Sequence, residues 1–210
     1  MISLSEILHT IAQALMIPCL IILIILMAGA VWQIGDIVVE YIAERRKHKC
    51  NVPQLLRDVH AAGADGLAEL IENSGLLRRQ KKALLELAES RGLPKDTLTA
   101  LAERLLATEE ARNARTTSIT DIIAKLGPMF GLLGTLIPLG PGIVALGQGD
   151  TVTLSESMNV AFDTTIAGVI SAAVASVISH IRKRWYNDDM VSLETLMEAV
   201  LEEVTSDVEG

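Results

Sequence analysis

Residues 126–142 read Leu126-Gly-Pro-Met-Phe-Gly-Leu-Leu-Gly-Thr-Leu-Ile-Pro-Leu-Gly-Pro-Gly142, and no formal charge appears between Lys125 and Asp150. A second apolar run, over 158–181, carries one charge, Asp163, and stops at Arg182-Lys-Arg-Trp-Tyr186. Each run has about 20 residues, enough for a helix to cross a hydrocarbon core in which every backbone polar group must be satisfied internally. The two runs and the short turn between them predict a membrane hairpin.

Small residues say what the hairpin is for. Gly131, Gly134, Gly140, Gly142 and Gly147 mark one span; Ala161, Ala167, Gly168, Ala172, Ala173, Ala175 and Ser176 mark the other. A helix that only sat in lipid could be Leu and Ile throughout, whereas small side chains let helix backbones approach, a main source of association in membranes. The hairpin is therefore built to pack against other helices. Thr135, Thr164 and Thr165 add hydroxyls that serve either as hydrogen-bonding glue or as the lining of a wet path.

Working outward, residues 11–31 form another apolar run with Gln13 as its only strongly polar side chain, which predicts a first transmembrane helix. A cleaved signal peptide is the competing reading, because Ala28-Gly-Ala30 imitates a cleavage site. The run has no basic segment before it, and Arg45, Arg46, Lys47 and Lys49 after it oppose translocation, so a retained span is expected. Basic residues also precede the second span (Arg112, Arg115, Lys125) and follow the third (Arg182, Lys183, Arg184), while 1–10 and 148–157 have none. The positive-inside bias puts the N-terminus and that turn outside and the C-terminus in the cytoplasm, as for a multi-pass protein of the cell (inner, cytoplasmic) membrane.

The polar segments read as helical. Asn51 followed by Pro53 suits a helix start, Asp65 suits a cap of a short helix ending near Ser74-Gly75, and 76–90 carries apolar residues at helical spacing. From Pro94 no Gly or Pro intervenes until Gly127, with Leu98, Leu101, Leu105 and Leu106 on one face, which predicts one continuous helix from there into the second span. In the tail, apolar residues at 190, 193, 197, 200 and 204 predict an amphipathic helix. The fold class expected is all-α, with three spans and long helices extending into a cytoplasmic helical domain. The divisions are 1–43 (N-terminal segment and first span), 44–117 (cytoplasmic), 118–148 (second span), 149–157 (external turn), 158–182 (third span) and 183–210 (cytoplasmic C-terminal helix).

Composition agrees. With 50% hydrophobic and 21% charged residues, apolar and charged side chains have to be segregated along the chain, and they are. A net charge of -8 argues against a nucleic-acid partner, which would want a basic face. Cys19 lies in the first span and Cys50 beyond it, so two inert thiols are expected. His9, His48, His60 and His180 are scattered and favour surface roles. Neither a phosphate-cradling loop, nor a nucleophile with a partner base, nor metal-ligand spacing is present, so no catalytic site, cofactor or metal is expected. Asp163, a carboxylate within a span, is weighed between an ion path and a bland place at the outer interface. It sits about 200° around the helix from Thr165, so the two do not share a face.

Residues 126–135 resemble the second-span signature of the MotA/TolQ/ExbB proton-channel family, and Ala161-Phe-Asp-Thr-Thr165-Ile-Ala-Gly168 is similar to its third-span pattern, followed by an alanine-rich run and an aromatic residue. The resemblance covers roughly 102–187. It implies an ExbB- or TolQ-like subunit: a homo-oligomeric ring, a pentamer by analogy, around single-span partner helices whose intramembrane Asp carries the proton (an ExbD-, TolR- or MotB-like protein). It further implies that Thr135 and Thr165 line the ion path by hydrogen-bonding water or the partner's carboxylate, and that Gly131, Gly134 and Gly168 allow close helix packing. Two departures stand out. Pro138 and Pro141 are expected to kink or break the second span, and Val160 stands where some relatives have an acidic residue, with Asp163 three residues on. The function expected is an ion-channel subunit, of proton or sodium, in an energy-transducing motor complex. A non-conducting membrane scaffold that anchors an envelope or cytoplasmic partner is the alternative. A solute transporter is disfavoured because three spans give no inverted-repeat pair.

Overall fold

The computed structural model describes residues 4–45 and 51–209, and every element among them is helical. In chain order these are α1 (Leu4–Ala14), α2 (Met16–Glu40), a π-turn (Tyr41–Arg45), α3 (Val52–Asn73), α4 (Arg78–Glu89), α5 (Lys95–Gly147) and α6 (Thr151–Glu209). Arg46, Lys47, His48, Lys49 and Cys50, read as a stop-transfer cluster and an inert thiol, lie outside the described residues. Three helical stretches are long and apolar enough to cross a membrane: Glu6–Ala43, Lys95–Gly147 and Thr151–Ser206.

α5 runs uninterrupted from Lys95 into the second apolar run, as the lack of Gly or Pro before Gly127 predicts. The expected break at Pro138 and Pro141 is absent: α5 passes through Pro128, Pro138 and Pro141 and ends only at Gly147. Each proline removes one helical N–H donor, but leaving the helix in a lipid-like setting would expose several backbone groups at once, so the unbroken helix is the lesser cost. The expected turn over 149–157 is also shorter, because α6 is helical from Thr151. Asp150 is the reason. Its Oδ1 accepts the backbone N–H groups of Val152 and Thr153, both at 3.1 Å, and its Oδ2 accepts the Thr153 hydroxyl at 2.6 Å. These are the free donors of a helix start, satisfied by an N-cap carboxylate. The tail helix expected at 183–210 is the continuation of α6 rather than a separate element.

The chain divides into two units. The first comprises Met1–Ile37 and Thr117–Ile181. Its small core joins Leu26, Ala30, Ile123 and Ala175, with Phe130 and Val174 against them, while Ile24, Ile25, Leu132 and Val169 point outward. Cys19 is buried and its Sγ donates to the Phe130 carbonyl at 3.3 Å.

The second unit comprises Val38–Thr116 and Arg182–Gly210. Its core is built of large side chains: Leu67, Ile71, Leu84, Leu87, Leu98, Leu196 and Val200 are all at most 1% exposed. Leu193, Met197, Val200 and Val204 of the expected amphipathic stripe are buried there, as are Leu98 and, in part, Leu101, Leu105 and Leu106. α3 is kinked at Gly63, whose φ of 62° and ψ of 178° only glycine adopts easily. Gln80 ties α4 in twice, accepting the Leu77 N–H at 3.2 Å and donating to the Asp189 carbonyl at 3.0 Å. Arg182, 3% exposed, reaches Glu40 at 3.1 Å, and Tyr41 stacks on Trp185 with ring centroids 6.1 Å apart. Burial, then the neighbouring Glu40 carboxylate, pushes the Tyr186 phenol up to about 12.

Candidate functional site

The α5–α6 hairpin of the first unit is closed by backbone contact. A Cβ placed on Gly127 would fall 2.6 Å from the Gly168 carbonyl oxygen, and one on Gly134 would fall 2.5 Å from the Thr164 Cβ. Gly131 lies over Gly168 Cα and the Thr164 carbonyl, each 3.4 Å from such a Cβ, and a Cβ on Gly168 would collide with the Gly127 carbonyl. Farther along, Gly142 meets Ser157. As the α5 number rises the α6 number falls, so the helices are antiparallel, with Gly127 and Gly131 against Gly168 and Gly134 against Thr164 across the seam. Gly140 and Gly147, in contrast, have open space beside them.

This register places the threonines. Thr164 is 4% exposed, sits against Gly134, and donates its hydroxyl to the Val160 and Ala161 carbonyls at 2.9 and 3.0 Å. Thr135 follows Gly134 on α5 and Thr165 follows Thr164 on α6. Each step turns about 100° around its helix, and because the helices run oppositely both steps turn to the same side of the hairpin. Thr135 and Thr165 are therefore level with each other, half-buried, beside the seam. Asp163, one step back from Thr164, is exposed on the opposite side. The structure thus brings together Thr135, Thr165 and the three glycines and leaves Asp163 apart from them.

Both hydroxyls are committed as donors to their own helix: Thr135 Oγ1 to the Leu132 carbonyl at 2.7 Å, Thr165 Oγ1 to the Ala161 carbonyl at 3.0 Å. A hydroxyl whose proton is so used presents its lone pairs outward. It accepts from a protonated carboxylic acid or from water, and offers nothing to an ionised carboxylate, which only accepts.

Among the other residues singled out, His60 Nδ1 lies 2.7 Å from Glu203 Oε1 in the second unit, and His180 Nδ1 lies 2.8 Å from the Ser176 carbonyl. His9 is exposed. Among the described residues no group of His, Cys, Asp and Glu gathers that could hold a metal ion.

Sequence reasoning passed over a polar group at the other end of the hairpin. Ser179 donates to Asp121 Oδ1 at 2.5 Å, and Thr120 and Gln33 are buried nearby in the register. The signal was slight: Asp121 and Gln33 sit at the margins of the apolar runs, where polar residues are ordinary.

Compared with known families, residues 70–195 match the profile of the MotA/TolQ/ExbB proton channel family. That is more than half of the chain. The chain belongs to the MotA/TolQ/ExbB proton channel family. No curated protein matches it. The matched region holds α5 and α6 as far as residue 195, with Thr135, Thr165, Gly131, Gly134 and Gly168, and leaves out the first span. Membership in the MotA/TolQ/ExbB family, with three helices able to span a bilayer, makes this a multi-pass membrane protein with a proton-channel role in a motor-like complex.

Proposed function

We propose that this MotA/TolQ/ExbB chain is the ring-forming channel subunit of an energy-transducing motor, coupling ion-motive force, in the first place of protons, to mechanical work through a single-span partner. Copies of the chain, five by analogy with the family, enclose partner helices whose intramembrane Asp carries the proton. The N-terminus and the α5–α6 turn face outward, and residues 44–117 and 183–210 are cytoplasmic.

The observation that supports this best is the pairing of Thr135 and Thr165 at one level on one side of the hairpin. In a ring, that side would offer a band of hydroxyl lone pairs without fixed charge. A protonated partner Asp could donate to each hydroxyl in turn, while an ionised one would be held where water or a cation compensates it. The band would thus read the protonation state of the partner, which is what coupling proton flow to rotation requires. Asp163, on the opposite side, would face a neighbouring subunit or the outer interface.

Proton uptake by vesicles containing the chain and its single-span partner tests this. Thr165→Val should lower flux by at least about tenfold, the effect of losing about 1.4 kcal/mol of stabilisation along the path. Flux that survives both Thr165→Val and Thr135→Val removes the pore assignment. A well-formed ring without flux in the unmodified protein would return the scaffold function.

A further inference from the structure

In the unit formed by Met1–Ile37 and Thr117–Ile181, three helices meet at Ala30 of α2, Ile123 of α5 and Ala175 of α6. α2 is antiparallel to α5, as Cys19 meets Phe130 and Gly29 meets Ile123; α5 is antiparallel to α6. One turn beyond the alanine layer, toward Ile37 and Ile181, buried polar side chains stand beside the apolar Ile178. They are Gln33 of α2, Thr120 of α5 and Ser179 of α6, which are 5%, 0% and 3% exposed. Ser179 donates to Asp121 Oδ1.

Among the described residues, two atoms in this layer have no hydrogen-bond partner, Gln33 Oε1 and Thr120 Oγ1. Thr120 contrasts with other hydroxyls of this unit. Thr135, Thr164, Thr165 and Ser171 all return their hydroxyl protons to carbonyls of their own helix, the ordinary solution for a hydroxyl in an apolar setting. A buried polar atom left unmade is costly, and native interiors rarely tolerate one.

We propose that this layer is an internal hydration site: at least one water sits between Gln33 and Thr120, inside a single subunit and apart from the Thr135–Thr165 side of the hairpin. Water is the guest that this chemistry selects. The amide oxygen needs a donor, whereas the hydroxyl can be served from either side, and a water molecule donates and accepts at once. It also satisfies the amide in either orientation of its oxygen and nitrogen, which a cation does not. The bound water would lie one residue along α5 from the Asp121–Ser179 pair, so the subunit would hold a polar layer contributed by all three helices. The proposal does not depend on the channel function.

The test uses the full chain in its natural assembly in lipid nanodiscs. Thr120→Val is isosteric, and Gln33→Met nearly so. If water bridges the two groups, each variant should lower the melting temperature by about 2–4 °C, and the double variant should lose less than the sum. A Thr120→Val melting temperature that is unchanged or raised means an empty site and overturns the proposal. Water-edited solid-state NMR of the unmodified protein gives a second readout that does not depend on variants folding. Transfer from water to the Thr120 side chain is expected, and no transfer overturns the proposal. Exchanging sodium for potassium at constant ionic strength should leave the melting temperature of the unmodified protein unmoved. A shift lost in Thr120→Val would make the guest a cation and likewise overturn it.

Discussion

The two units of the chain are held together by opposite kinds of residue. In Met1–Ile37 and Thr117–Ile181 the closest helix contacts run through Gly127, Gly131, Gly134 and Gly168, and large side chains such as Leu132, Leu136 and Val169 are exposed. In Val38–Thr116 and Arg182–Gly210 the contacts run through Leu67, Leu84, Leu87, Leu98 and Leu196, all buried. One physical cause gives both patterns. In water, burying large apolar side chains is the main driving force for packing. In lipid that force is absent between helices, and close approach of backbones takes its place. The same chain, within the same helices α5 and α6, follows each rule in turn.

The largest test of this contrast is Gly168→Leu. Its Cβ would collide with the Gly127 carbonyl, a backbone atom that cannot move aside as a flexible side chain would. The hairpin must separate, so loss of assembled protein in size-exclusion profiles is expected, and with it any ion flux. Gly140→Ala, with nothing within 4 Å, should leave assembly intact. If Gly168→Leu assembles normally, small-residue contact is not what closes the first unit.

Next in size is Arg182→Ala. Its guanidinium is 3% exposed against a Glu40 side chain 16% exposed, and removing one partner of such a pair costs about 3–5 kcal/mol. Denaturant unfolding should show that loss, and the double variant Arg182→Ala/Glu40→Ala should be less than additive. Leu87→Ala follows at about 2–5 kcal/mol, because Leu87 is fully buried and its removal leaves a cavity. The matching truncation in the first unit, Leu132→Ala, removes a side chain that is 59% exposed and should change stability in a bilayer far less. Equal losses for the two leucines would undo the contrast.

What could be read from sequence follows the same division. The α5 helix from Lys95 onward and the stripe Leu193, Met197, Val200 and Val204 were legible because helical periodicity of large side chains is a strong local signal. The glycine-rich seam was legible as a tendency to pack, and Gly131, Gly134 and Gly168 do meet one another or Thr164. At Pro138 and Pro141 the helix does not break, because in lipid no water is present to take up the backbone groups that a break would free. Gln33 and Thr120 could not be paired from sequence, since only the register of α2, α5 and α6 brings them to one level. The extent of the turn was legible in principle, since Asp150 directly before Thr151-Val-Thr-Leu154 is an ordinary N-cap signal, but the same residues also suit an exposed polar turn.

That cap supplies the smallest expected effect. The Thr153 hydroxyl and the Thr153 and Val152 N–H groups all bond the ionised carboxylate, and together hold Asp150 below its ordinary pKa. A carboxylate lowered on folding stabilises the folded state above its unfolded pKa of about 3.9, and that contribution disappears as pH falls through the lower folded value. Amide exchange at Val152 and Thr153 should therefore be insensitive to this group near neutrality and show loss of protection only in acid. Asp150→Asn keeps an oxygen acceptor at the cap and should retain protection while abolishing its acid dependence. If the acid dependence persists in Asp150→Asn, some other group controls the start of α6, and the short turn between the two glycine-matched helices is set by their packing rather than by its own cap.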